Sequence, residues 1–490
     1  MIMNQNIEHK NKTILGFIWR FLHNFGVQAI SLFIQIIIAR ILLPEAYGII
    51  ALTSIFTSVG MVFIHGAFSA SIIQKKQISQ LELSSIFYLG IVVSIFIIGI
   101  IAFISPMVAA FYEEPILVNV LRIQSLTILI GSTYTIHQSL MFRNMEYKKG
   151  FIAGIIGISF QGVIGIYLAV QGFGVWSLVY SMLANQVITA LTIILLVRWK
   201  PSKAFSISHL IDLFSYSSRI FIINLMNAIY TNVIFLFIGK LYDSRTLGYY
   251  HKGYGFPTLI MNNFDGAMNN VLFSSLSRIQ DQNEESLNVL RRSMKISMYI
   301  SAPAMLGLFV IAEPLVLFLL TDKWLPSVPF LQIVALGCLI WPLSARIQAI
   351  NAIGRSDVSL RINILLRVIG VALIVIFSRY NIYLLVLSTI IGEVIIAFVT
   401  SFVVKNMLGY TLKKQVLDIF PNVLIASIMA ALIWPILLLG YSPFLTLTIQ
   451  MSLGFLIYIF LSWLFKIESF IYLIDQMKTY FKDYTQKRSK

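Results

Sequence analysis

The chain has 490 residues, 58% of them hydrophobic and 11% charged, with a mean hydropathy of +0.86. Soluble domains carry about 25% charged residues, so this chain has too little polar surface to cover a globule in water, and the bilayer is the solvent that fits it. The formal charge of +16 lies in short Lys/Arg clusters between apolar runs, not on one basic face or arm, which argues against nucleic acid as a partner.

A helix crossing the hydrocarbon core needs about 20 mostly apolar residues. About fourteen segments qualify. The polar start MIMNQNIEHKNK is followed by no A-x-A-type cleavage site, so no cleavable signal peptide is expected. The first segment, 14–39, sets Arg20, Asn24, Gln28, Ser31 and Gln35 on one broad helical face, with His23 at its edge. The second, 46–70, stacks Ser54, Thr57, Ser58 and His65. Next come 84–105, 116–140 (with Arg122), 150–170 and 175–197. The seventh, 211–239, has Arg219 near its start and then Asn224, Asn227 and Thr231 on one face. The eighth, 247–275, carries His251, Thr258, Asn262, Asp265 and Asn269 as a heptad-like polar stripe. The rest are 295–320, 328–351 (with Arg346), 358–378, 382–404 (with Glu393), 417–439 and 443–465. Membrane-barrel strands are excluded, because the runs are too long and lack alternation. The polar stretch 278–294 reads as a short amphipathic helix linking two spans. The single cysteine, Cys338, allows no intrachain disulfide framework or cysteine-rich metal site.

Threading these spans with the N-terminus inside puts 25 Lys/Arg on the cytoplasmic side and 5 on the other. That bias predicts both termini in the cytoplasm and an even helix count. The loops are too short to hold a soluble catalytic domain.

Shifting the sequence by 200 residues sets Asn24 on Asn224, Ser31 on Thr231, Arg40 on Lys240 and Gly48 on Gly248. A shift near 208–210 continues the match, with Pro106 on Pro314 and Gln138 on Gln348. Six helices per repeat is even, so both halves keep one orientation. The expected architecture is all-α: two parallel six-helix bundles, 1–200 and 201–410, with two further helices in 411–466 and a basic cytoplasmic tail, 467–490. Parallel repeats of this kind are a transporter arrangement.

Polar groups within spans are costly and face a partner or a wet cavity. The polar faces of segments one, two, seven and eight are therefore read as cavity-lining, with interhelical hydrogen bonding as the plainer alternative. Substrate-binding candidates are Arg20, His23, Asn24, Gln28, His65, Arg219, Asn224, Asn227, His251, Asn262 and Asn269. Arg20, Arg219, Arg122 and Arg346 also allow an interfacial or ion-paired reading. Asp265 and Glu393 are the deepest acids and the candidates for coupling to a proton or sodium gradient, the alternative being an ion pair with a nearby arginine. No G-x-x-x-x-G-K-[ST], H-E-x-x-H or G-x-S-x-G is present, so no ATP cassette or hydrolase is indicated, and neither a catalytic residue nor a cofactor or metal is expected.

The run ARILLPEAYGIIAL and the later FSASIIQKK, GFGVWSLV, VRWKPS, IGKLYDSRTLGYYHKGY, LFSSLSRIQD, DKWLPSVPFLQIVAL and AIGRSDVSLR together resemble one transporter branch. That branch is the polysaccharide exporters (Wzx-type, colanic-acid and teichuronic-acid exporter-like) of the multidrug/oligosaccharidyl-lipid/polysaccharide superfamily. The resemblance reaches to about residue 410. It implies a MATE-like V of two six-helix bundles around a cavity, in the bacterial inner membrane. It also implies flipping of an undecaprenyl-pyrophosphate-linked repeat unit by alternating access, for O-antigen, lipopolysaccharide or exopolysaccharide synthesis. The polymerase and glycosyltransferases of the same pathway are its implied partners. The chain departs from the branch at His65, where an acid is frequent. A pyrophosphate wants cationic and amide donors, which Arg20, His23, Asn24, Arg219 and Asn224 offer, while Gln28, Asn227, Asn262 and Asn269 suit sugars. A cation-coupled multidrug antiporter on the same scaffold would want acids facing an apolar cavity. A membrane glycosyltransferase or polymerase would want a large extracytoplasmic loop or a soluble domain.

Overall fold

The computed structural model describes Trp19 and residues 26–488, except 67, 76, 280 and 281. Arg20, His23 and Asn24 lie outside the described residues, as does the side chain of Arg219. The chain divides into two compact units, Met1–Gly248 and Tyr249–Lys490.

In the first unit, α1 (Gly26–Ile41) and α2 (Pro44–Met61) meet at a two-residue connection. Pro44 starts α2 because its missing N–H is spare at a helix N-terminus. A π-turn, Val62–Gly66, continues α2 and is followed by the short α3 (Ser69–Gln74). Next are α4 (Gln80–Tyr112), α5 (Leu117–Arg143), α6 (Tyr147–Val170), α7 (Val175–Val197) and α8 (Ile207–Leu241). The start of α4 is written locally as S-x-x-E. Ser79 Oγ accepts from the Glu82 N–H at 3.2 Å, and Glu82 Oε2 accepts from the Ser79 N–H at 2.8 Å. Helices α4 and α5, α6 and α7, and α5 and α7 pack as pairs, while α2 lies against α5 and α8. Asp243 caps the next helix, α9 (Ser244–Arg278), by accepting from the Thr246 N–H at 2.7 Å. Partial burial raises the Asp243 carboxyl, but the Thr246 hydrogen bonds and Arg245 outweigh it and hold the group below its ordinary value.

The second unit takes the rest of α9, then α10 (Asn283–Val310), α11 (Ala312–Leu320), a 3₁₀ turn (Asp322–Ser327) and α12 (Val328–Cys338). A second 3₁₀ turn, Trp341–Ser344, leads into α13 (Ala345–Ala352), followed by α14 (Ser356–Phe377) and α15 (Ile382–Leu408). Then come α16 (Leu412–Ile433), α17 (Pro443–Leu464) and α18 (Glu468–Arg488). Helix α10 packs on α16 and α12, α14 on α15, and α16 on α17.

The surface is apolar and the polar groups turn inward, the pattern a lipid solvent demands. Along α4, Val92, Phe96, Phe103 (78% exposed), Met107 and Phe111 form an exposed stripe, while Ser94 and Ser105 are fully buried. The expected segments fall on largely helical chain, the first being described only from Gly26, but 295–320 is divided at Ile311 between α10 and α11 and 328–351 is broken before α13. Among the described residues, eleven helices are long and apolar enough to cross a membrane. Helices α5 and α9 fall short of that apolarity because of their polar faces. The expected separate helix at 278–294 is corrected: Arg278 ends α9, and residues from Asn283 are the first turns of α10. Glu284 and Glu285 sit in that first turn, where the helix dipole favours acids.

Candidate functional site

In the first unit the polar residues of α2 serve two neighbours. Thr53, fully buried, donates to Gln124 Oε1 on α5. One position on, Ser54 Oγ donates to Asn232 Oδ1 on α8 at 2.8 Å. Asn232 Nδ2 donates to Ser58 Oγ at 3.2 Å and to the Ala228 carbonyl at 2.7 Å. Asn232 is thus the clasp between α2 and α8. We expect Asn232→Ala to lower stability by about 1 kcal/mol, the scale of a net hydrogen-bond contribution; an unchanged melting curve in detergent would remove it from that role.

Beyond Ser58 the helix widens into the π-turn. Such turns are rare and concentrate at functional sites. Here the turn carries His65. Its Nδ1 lies 3.1 Å from Thr135 Oγ1, and Thr135 already donates to the Gly131 carbonyl at 2.8 Å. The ring edge also meets Tyr134, whose hydroxyl accepts from Gln186 at 3.1 Å. Asn224 on α8 reaches the same turn: a Cβ placed on Gly66 would stand 3.4 Å from Asn224 Nδ2. Asn224 therefore packs against the turn at Gly66, next in sequence to His65. Asn227 sits one turn further along α8, and its carbonyl accepts from Thr231 at 2.9 Å. Gln28 lies half-buried on α1.

In the second unit Asp265, Asn269 and Ser344 form one cluster. Asn269 Nδ2 donates to Asp265 Oδ2 at 2.7 Å, and Ser344 Oγ approaches the same oxygen at 3.2 Å. Among the described residues Asp265 has no ion pair, so its charge is met by neutral dipoles. Glu393 on α15 differs, because it lies within electrostatic reach of Arg367 on α14. Asn262 is exposed on α9 and His251 half-buried near its start. Ser344 was not foreseen in the sequence. It ends the 3₁₀ turn that breaks the expected span 328–351, and broken helices at membrane depth line cavities or protein interior. Pro342 within WPLS is the signal that would have found it. Lys252 is a second missed residue. It is buried beside His251, 5.9 Å from the Trp324 ring.

The arrangement offers amide, hydroxyl and imidazole groups with few acids, which suits hydrogen bonding to a polar solute. Among the described residues no group of three or more His, Cys, Asp or Glu could hold a metal ion.

Comparison with known proteins agrees with this architecture. The chain is 25% identical over 343 residues to the succinoglycan biosynthesis transport protein ExoT of Rhizobium meliloti (strain 1021), covering 69% of each. It is 21% identical over 420 residues to the lipopolysaccharide biosynthesis protein WzxC of Escherichia coli (strain K12), covering 84% of this chain and 85% of that one. The fold matches the lipid II flippase MurJ in its inward closed conformation with a TM-score of 0.74 at 20% identity, over 92% of this chain and 98% of MurJ. Residues 37–329 match the family described as "Polysaccharide biosynthesis protein", and the chain belongs to that family.

Proposed function

We propose that this protein is a flippase that moves a lipid-linked oligosaccharide repeat unit across the bacterial cytoplasmic membrane by alternating access, supplying surface polysaccharide synthesis. The observation that carries this reading is the joint similarity, over most of the chain, to ExoT and WzxC in sequence and to a lipid flippase in fold. The hydroxyls of α2 and the amides of α8 and α9 support it, since sugars are bound by such groups. The anionic head group, an undecaprenyl pyrophosphate in this reading, is met by Arg20, His23, Asn24 and Arg219 together with Asn224. Both termini lie in the cytoplasm, and no covalent chemistry is performed. A pathway polymerase and glycosyltransferases act before and after the transport step. The test is a leaflet-accessibility assay in proteoliposomes with a defined lipid-pyrophosphate oligosaccharide. Transfer to the far leaflet is the expected result; sugar transfer without movement would point to an enzyme instead.

Asp265 is the coupling acid in this reading, because its partners are neutral donors that leave it able to exchange a cation. Asp265→Asn keeps the shape and removes the charge. Flipping by this variant should lose its response to an imposed proton or sodium gradient while the protein still folds. An unaltered gradient response in Asp265→Asn would assign coupling elsewhere, with Glu393 the next candidate.

A further inference from the structure

A cavity of about 400 Å³ opens where α10, the α17–α18 junction and the first turns of α18 meet, lined among others by Arg292, Lys295, Lys466, Ser469, Tyr472 and Asp475. Its charges are not all matched. Lys295 is held by Glu468 at 2.6 Å and by Asp418 at 3.1 Å, so both it and Glu468 are neutralised. Asp475 leans toward Lys478 at 4.0 Å. Arg292 lies 4.8 Å from the Tyr472 ring, and neither it nor Lys466 has a carboxylate partner among the described residues. Two unneutralised cations therefore border one cavity.

The cavity's level is set by α17. Trp463 (65% exposed), Leu464 and Phe465 are the last lipid-facing residues of that helix, and Lys466 follows directly. A tryptophan at the end of an apolar face marks the headgroup layer. Lys466 itself sits at φ +49, closing the helix in a Schellman arrangement, with the Ile467 N–H bonded to the Ser462 carbonyl at 3.0 Å. Glycine is the ordinary residue there, so backbone geometry does not explain the lysine.

We propose that this cavity binds the phosphate headgroup of an anionic membrane lipid, with Arg292 and Lys466 holding the phosphate and Ser469 and Tyr472 shaping the floor. Basic pockets between membrane helices take acidic headgroups for the same electrostatic reason. The site is independent of the transport reading above.

The test uses the full chain in neutral detergent, titrated with phosphatidylglycerol, phosphatidylcholine or inorganic phosphate, with bound ligand read by native mass spectrometry. Phosphatidylglycerol should be retained at least tenfold better than phosphatidylcholine. Arg292→Gln combined with Lys466→Gly should cut that retention at least fivefold, and Lys203→Gln should leave it unchanged. Lys466→Gly alone separates binding from folding, because glycine adopts the left-handed backbone freely. Its melting temperature should hold or rise while retention falls. Unchanged retention in Lys466→Gly and in the double variant overturns the proposal. So does uptake of inorganic phosphate without preference for phosphatidylglycerol, which would make this a soluble-phosphate site.

Discussion

Gly48→Ala and Gly248→Ala should each destabilise the protein by about 3 kcal/mol, the upper end of the cost of overpacking, and valine at either position should do more. In an ordinary helix the same change stabilises by roughly 0.5–1 kcal/mol. The contact reverses the sign. A Cβ on Gly48 would stand 1.8 Å from the Ser244 carbonyl oxygen, and one on Gly248 would stand 1.9 Å from the Pro44 carbonyl oxygen. Unstrained heavy atoms sit about 3.5 Å apart, so the backbones must part by roughly 1.5 Å, and a carbonyl cannot rotate away as a side chain can. The two contacts are reciprocal. Residues 44, 45 and 48 meet 244, 245 and 248 at the 200-residue offset of the sequence repeat, and Arg245 pairs with Glu45 across the same crossing. The penalties should therefore not add: once one glycine is filled and the crossing has opened, the second costs less. Gly99→Ala and Gly255→Ala are the controls. Each would meet nothing within 4 Å, and each should match or exceed the wild-type melting temperature. Melting of the four single variants and the Gly48/Gly248 double variant checks this. A Gly48→Ala protein as stable as the wild type would mean that the crossing is loose.

The crossing also shows how far the sequence was legible. Its symmetry could be seen as Gly48 falling on Gly248, because a close backbone approach demands glycine whatever the surroundings. The helices were legible for a similar reason, since apolar length is a local property. Partners were not. Ser54, Thr57 and Ser58 read as one polar face of α2; Ser54 and Ser58 turn to Asn232 on α8, while Thr53, not read as part of that face, turns to α5. Periodicity gives a face and not the helix that will meet it. The break at Trp341–Ser344 was hidden for another reason: an apolar window over 328–351 averages away the local effect of Pro342 on the backbone. The cluster of Asp265, Asn269 and Ser344 depends on that break, so two of its three members were named and the third was not. Glu393 was read with an arginine partner as the alternative, and Arg367 lies within electrostatic reach of it.

Arg346 carries the other large effect, and the order of its variants is the informative part: arginine most stable, methionine next, lysine least. The side chain is 2% exposed and has no carboxylate partner among the described residues. Its Nε donates to the Leu343 carbonyl at 3.1 Å, and its Nη1 donates to the Ala397 carbonyl at 2.7 Å and to Gln415 Oε1 at 2.8 Å. Burying a cation costs several kcal/mol, and three hydrogen bonds from a charged donor return about 1.5–3 kcal/mol each, so the native arrangement comes out near balance or slightly favourable. Methionine removes both sides of that balance. Of the acceptors it abandons, Ala397 O keeps Thr400 at 3.2 Å and Gln415 Oε1 keeps Ser401 at 2.9 Å. Only Leu343 O, in the broken turn, loses its side-chain donor, which sets the cost at about 1–2 kcal/mol for one abandoned group. Lysine keeps the buried charge, or gives up its proton to avoid it, and its single nitrogen cannot span carbonyls on three elements as the planar guanidinium does. A loss of about 3 kcal/mol is expected, roughly 6–12 °C of melting temperature if the second unit unfolds as a domain of its size. Thermal unfolding of the two variants in detergent decides it. Should Arg346→Lys melt at or above Arg346→Met, retained buried charge is not what sets the cost, and Arg346 holds the turn by packing instead.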